Sequence, residues 1–305
     1  NENDTWVHFQ CGPLGAGHGH ADKQHVSLLS RGENVLTDAG RYSYVFGPDR
    51  VQFKELRAHN TIMADGHDLY VCKDSWEVSR LTRAVNLRFY SDNKYAYTEG
   101  GHLGYLGLPD GIFINRRVIF LKPDIIILAD EFYSSGSHDY NQFFHFSNEG
   151  KLNQNSLSSW TYSGESVSAQ IQFISQNIES SAFDSRISYH YNSFEPSNAV
   201  ETKFSIQGCG CAYTVIGLSD ANAKFDLDVN KLEVKSNFKD ITFTDKQIEA
   251  LEVKLGSQHY VVVVAHEEYA SPTDTFLAGN CYGFGNAVVF DRSENEFETG
   301  TVLIW

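Results

Sequence analysis

The sequence predicts an all-β protein built as a large two-layer antiparallel β-sandwich with a small terminal β-sheet. Three observations predict it. Short runs of β-branched and aromatic residues recur along the chain, each bounded by Gly, Asn, Asp or Ser. Helical periodicity is scarce. The 16 tyrosines and 21 phenylalanines suit broad pleated surfaces.

The first strands fall at 26–29 and 35–37, with residues 31–34 as the turn of a hairpin. An aromatic strand follows at 95–98, then a longer one at 112–121. Lys122, Pro123 and Asp124 make a tight turn into 125–130, whose first five residues are apolar. Such a strand belongs between two covered faces, as between stacked sheets. Further strands are expected at 141–147, 167–175, 212–218, 231–234 and 259–265, and the polar stretch 176–197 reads as a long loop or edge hairpin. One helix is expected, at 244–253, where Thr244 or Asp245 could cap a run holding Ile248, Leu251 and Val253. A weak border near 235–245 divides the chain into 1–235 and a terminal β region, 236–305.

The 305 residues can bury an ample core. A net charge of −15 argues against holding nucleic acid by a general field, because that binding needs Lys and Arg to neutralise phosphates. An acidic polymer would need a locally basic groove. No stretch approaches the roughly 20 apolar residues that span a bilayer. The chain opens at Asn1 without a charged-then-apolar leader, the expectation for a mature protein or a cut fragment. Five scattered cysteines fit neither a disulfide framework nor a zinc knuckle, and Cys209 and Cys211 read as packing residues.

Residues 12–22 are the most unusual stretch. Four glycines and a proline surround His18 and His20, placed at i and i+2, which share a face on a strand or converge in a glycine-rich bend. Downstream come Leu36-Thr-Asp38-Ala-Gly40 and Arg57-Ala-His59-Asn60-Thr61. Imidazoles with a carboxylate are a common ligand set for zinc or a similar divalent ion. A single histidine more often only packs or hydrogen-bonds, and the remaining ones are read so. One objection is geometric: on a straight strand His20 would lie about 20 Å from Asp38. Either the glycines curl the segment back or the ligand set is partly wrong.

The three motifs together, with Arg117-Val-Ile-Phe120 leading to Asp124–Asp130, resemble the C-terminal β-sandwich region of the heparinase II/III-like polysaccharide lyases. The resemblance implies a supersandwich-like fold behind an N-terminal α-helical toroid domain, with the cleft between them. It implies β-elimination on an acidic, uronic-acid-containing polysaccharide such as heparan sulfate, heparin or alginate, and a bacterial periplasmic or secreted protein. Carried over, His20, Asp38 and His59 would hold a structural divalent ion, zinc foremost. His18 would face substrate. In several relatives the catalytic Tyr comes from the toroid and in others from the sandwich, where Tyr42 and Tyr44 are the candidates and Tyr44 is preferred. Arg41, Arg50 and Arg57 could supply the basic patch, with Arg57 and Arg41 placed at the substrate. The alternatives are a non-catalytic carbohydrate-binding sandwich with a structural metal, and a metal-dependent hydrolase on an unrelated β fold.

Overall fold

A computed structural model describes residues 4–14, 17–79, 81–223, 226–266, 275–293 and 300–305. Gly15 and Ala16 of the glycine-rich motif lie outside them. The chain divides into two compact units, 1–89 with 98–223, and 90–97 with 224–305. The border expected after residue 235 falls inside the second.

The first unit rests on two eight-stranded antiparallel sheets. One runs Trp6–Gln10, His25–Ser30, Glu33–Leu36, Ser137–Phe146, Glu195–Gln207, Glu179–Ala182, with two short strands attached. The other runs Lys151–Ser156, Ser159–Ser163, Val167–Ile174, Gly210–Asp220, Ile125–Tyr133, Phe113–Leu121, Tyr95–His102, Ala84–Ser91, of whose last two strands residues 98–102 and 84–89 belong to this unit. Apolar residues of both interlock: the Phe132 ring lies 4.1 Å from Tyr140 and 5.6 Å from Phe204, and Phe144 lies 5.2 Å from Phe173. The apolar strand read at 125–130 is buried throughout, from Ile125 to Phe132, with a hydrogen-bonded neighbour on each side. The polar stretch after residue 176 supplies edge strands that pair with Glu195–Gln207.

The hairpin at 31–34 is confirmed. Arg31 and Gly32 both take positive φ, 55° and 78°, as a tight two-residue turn between twisted strands requires. Arg31 also pairs with Asp124 at 2.9 Å and Asp220 at 2.6 Å, which ties the turn to the second sheet.

In the second unit a five-stranded and a three-stranded sheet account for the small terminal sheet expected. The helix expected at 244–253 is not one. Thr244 does cap a turn, its N–H donated to Gln247 Oε1 at 3.1 Å, but the chain then enters strand Ile248–Leu255. That strand pairs along both edges, with Leu227–Leu232 and Gln258–Ala265. Pairing on two sides outweighs a weak local helical preference. The α-helix that does form, α1 (Pro48–Lys54), is seven residues with Pro at its start, too short to show a period.

A polar cluster joins the sheets. Arg116, wholly buried, gives Nε and Nη2 to the two oxygens of buried Asp130 at 2.6 and 2.8 Å. Its Nη1 reaches the carbonyls of Gln24 and Asn60, each at 2.7 Å. Gln142, from the facing sheet, donates to Asp130 Oδ2 at 2.6 Å. Removing one partner of such a pair strands a buried charge. Asp130→Ala is therefore expected to cost about 3–5 kcal/mol in denaturant unfolding; a loss below about 1 kcal/mol would contradict this role.

Candidate functional site

The site grows from residues 20–25, 37–42 and 57–61, which meet at one end of the first sheet. Asn60 holds them there. It is fully buried, and each of its polar groups is used. Its N–H is donated to His25 Nδ1 at 2.9 Å and its carbonyl accepts from Arg116. Its amide nitrogen donates to the carbonyls of Val26 and Thr37 at 2.8 and 3.0 Å. Its amide oxygen accepts the His145 N–H at 2.6 Å. Neighbouring Thr61 donates its hydroxyl to the Lys23 carbonyl.

Gln24 takes a positive φ of 65°, so the chain before His25 leaves the strand direction. The Ala21 N–H is donated to the Lys54 carbonyl at 2.9 Å, bringing the glycine-rich segment onto α1. This resolves the geometric objection: the segment curls back, and the His20 ring lies 5.3 Å from that of His59.

His59 is buried. Its Nδ1 is 2.6 Å from Asp38 Oδ2, while Nε2 is buried with no hydrogen-bond partner. Burial works against the Asp38 carboxylate, yet the His59 imidazole, its hydrogen bond, His25 and the Gly40 N–H together hold it well below the ordinary carboxylate range. Burial, and then the adjacent His59, push His20 down to about 3, so it stays neutral.

Ligand atoms of His25, Asp38 and His59 lie within 4.8 Å of one another, which makes His25 a rival to His20 as third donor. Its bonding tells against it. His25 Nδ1 accepts from Asn60 and its Nε2 is 2.7 Å from Ser27 Oγ, so both nitrogens are engaged. His20 has one contact through nitrogen, accepting from Arg50 Nη1 at 3.2 Å, near the long end for such a bond. Two imidazoles, a carboxylate and an orphaned buried nitrogen fit a divalent ion.

Beside this group, on the surface, stand the residues expected at the sugar. His18 Nδ1 is 3.1 Å from the Tyr44 hydroxyl, to which Arg41 Nη1 donates at 2.8 Å. Tyr42 is packed instead, its ring stacked 5.4 Å from Phe53. Arg57 does not join them. It lies over the Phe183 ring at 4.6 Å and pairs with Glu201 at 3.6 Å, apart from His18, Tyr44 and Arg41.

Two cations do join them, Arg50 of the expected basic patch and Lys54, which was passed over in the sequence. Arg50 and Lys54, one turn apart on α1, are both buried. Arg50 reaches His20 and the Arg41 carbonyl, the latter at 2.9 Å. Lys54 reaches the carbonyls of Ser75 and Gly17 at 3.1 and 3.4 Å. Nε and Nη2 of Arg50 are buried without partners. For Lys54 the one hint in the sequence was its four-residue spacing from Arg50. His102, His138 and His145 are buried, as the structural reading of the other histidines expects.

The decisive comparison is with families. The heparinase II/III-like C-terminal family matches residues 1–215. The chain belongs to it. No curated protein matches the sequence. Among solved structures, the heparan sulfate lyase HepC from Pedobacter heparinus is similar over 88% of this chain and 40% of its own, at 15% identity and a TM-score of 0.69. A heparinase III gene product aligns over 87% of this chain and 40% of its own, with 16% identity and a TM-score of 0.69. Another heparinase III gives 13% identity and a TM-score of 0.66. At these identities the likeness shows the shared sandwich fold. The chain spans about two fifths of the length of these heparinase structures.

Asn60→Ala would leave the Val26 and Thr37 carbonyls and the His145 N–H buried and unpaired, at about 1–3 kcal/mol each. Unfolding should show a loss of at least about 3 kcal/mol; a change under about 1 kcal/mol would mean these loops are held otherwise.

Proposed function

We propose that this chain is the sandwich part of a polysaccharide lyase that cleaves uronic-acid-containing polysaccharide by β-elimination. The observation that carries the reading is the surface pair of His18 and Tyr44, 3.1 Å apart and capped by Arg41. β-Elimination removes the proton at C5 of the uronate, forms the C4=C5 double bond, and expels the C4 oxygen, which must gain a proton. A hydrogen-bonded imidazole and phenol side by side offer a base and an acid for those transfers. Arg41 aims a donor at the phenol oxygen, where charge develops if Tyr44 gives up its proton.

His20, Asp38 and His59 are the residues that would hold a divalent ion, zinc foremost, and a bound ion would fix the loop that presents His18. His20 would exchange its long Arg50 contact for a ligand bond. Family membership supports the rest: an N-terminal α-helical toroid domain supplying the other wall of the cleft, and a bacterial periplasmic or secreted protein. No helix of the described residues is long and apolar enough to cross a membrane.

The full-length protein should release an unsaturated uronate, seen by ultraviolet absorbance, from a uronic-acid-containing polysaccharide. His18→Ala should lower that rate at least about 100-fold. Turnover in the variant at the wild-type rate removes His18 from catalysis, and sugar binding with no product from either protein favours a carbohydrate-binding module. Elemental analysis should find a divalent ion that His59→Ala loses, and chelation should lower the melting temperature. Absence of any such ion, with melting unchanged by chelator, overturns the ligand set.

A further inference from the structure

The short hairpin Val71–Cys72 with Val78–Ser79 ends in a loop that nothing above explains. Its tip is Trp76, 52% exposed although indole is among the costliest side chains to leave in water. The loop is braced. Asp74 Oδ1 accepts the N–H groups of Trp76 and Glu77, each at 2.7 Å, and the Lys73 N–H is donated to the Glu77 carbonyl at 2.9 Å. Buried Lys54 holds the loop from beneath through the Ser75 carbonyl. On the motif side, a Cβ at Gly17 would stand 3.0 Å from Trp76 Cε3, so glycine lets the two segments meet this closely and a side chain would push Trp76 back.

Trp76 is thereby fixed against the site. Its ring stacks on Tyr44 at 5.2 Å and 20°, and meets the edge of His18 at 5.4 Å. Tyr191, half exposed, lies 5.9 Å from Tyr44 on the other side. Arg41 spreads over the rings of Tyr44 and Tyr191 at 5.0 and 5.8 Å. Arg41, Arg50 and Lys54 form no ion pair among the described residues, in a protein of net charge −15. Together they make a rigid aromatic wall with local positive charge.

We propose that Trp76 is the stacking platform of a sugar subsite adjoining His18, taking the pyranose ring of an acidic sugar whose anionic group faces Arg41. A pyranose has an apolar C–H face and a polar rim. The exposed indole covers the first, and Arg41 at the edge of the wall meets a carboxylate or sulfate on the second. The charge favours an acidic over a neutral sugar. This rests on the lyase reading above, since the wall adjoins the residues given to catalysis there.

The test uses the full-length protein with a uronate oligosaccharide as probe and a neutral oligosaccharide of similar length as control. Trp76→Ala should raise KM about tenfold or more and leave kcat within about threefold, because stacking away from the reacting bond binds substrate and transition state alike. Trp76→Phe should recover most of that loss, which a merely structural role would not predict. Oligosaccharide should quench tryptophan fluorescence in the wild type and lose that quenching in Trp76→Phe. Should the wild type give no unsaturated product, the lyase reading fails, yet quenching through Trp76 by the uronate alone would still uphold the subsite. A wild-type KM in Trp76→Ala, or fluorescence blind to the oligosaccharide, overturns the subsite and assigns the exposed indole to contact with another domain. Equal quenching by the neutral sugar overturns the acidic preference.

Discussion

The site depends on a buried ion pair that grips its backbone and is bonded to none of its imidazoles. Arg116 and Asp130 sit on adjacent strands with side chains wholly enclosed. Taking both charges out of water is costly, and their attraction offsets that only when geometry is good and the remaining groups are satisfied. Here they are: Asp130 also accepts from Gln142, and Arg116 spends its last nitrogen on the Gln24 and Asn60 carbonyls. Those carbonyls precede His25 and follow His59. A guanidinium between the sheets thus fixes the backbone of the loops that carry the imidazoles, and Asn60 fixes the rest through Val26, Thr37 and His145. The imidazoles and the carboxylate are thus positioned by the sandwich itself, as preorganisation of a site requires.

A second layer of support is electrostatic. The seven residues of α1 offer two buried cations, and each bridges two loops, Lys54 through two carbonyls and Arg50 through a carbonyl and an imidazole nitrogen. Arg50 joins the His20 loop to the Arg41 loop, and Lys54 joins the Gly17 loop to the Ser75 loop. No acid neutralises either among the described residues. Carbonyl dipoles and the Tyr44 face, 5.5 Å from the Arg50 guanidinium, take that part. Burial accordingly pushes both groups below their ordinary pKa, Arg50 and Lys54 alike. The arrangement concentrates positive charge at one spot on an acidic protein, which suits an anionic polymer far better than the net charge does.

Much of this was legible in the sequence, and the failures have physical causes. The central strands announce themselves because a strand covered on both faces must be apolar along its length, as Ile125–Ala129 is. The strand Ile248–Leu255 was misread because its identity comes from partner strands that periodicity does not show, while the local signal at Thr244 marks a single turn. His18, His20, Asp38 and His59 could be singled out because glycine spacing and ligand types are written in the chain. Arg57 shows the converse. Sharing a motif with His59 put it near the site in sequence, but the 3₁₀ turn Leu56–Ala58 sends its side chain toward Glu201 and Phe183. Asn60 lay in plain view in that motif, yet its role is a matter of five simultaneous bonds, which no spacing reveals.

The same geometry explains why the arrangement is open on one side. Everything that holds the site is buried: Asn60, Arg50, Lys54 and His59. What would touch a sugar is at or near the surface, with His18, Arg41 and Trp76 exposed and Tyr44 partly so. Proton transfer from carbon benefits from a site that excludes water, because charges and dipoles act more strongly there. A rigid wall cannot provide that exclusion alone. In the lyase proposed above, a second wall would close over His18 and Tyr44, the part given there to the toroid domain. The exposed aromatic face is then what the closing wall and the sugar between them would cover, while the buried cations keep that face from yielding as they do so.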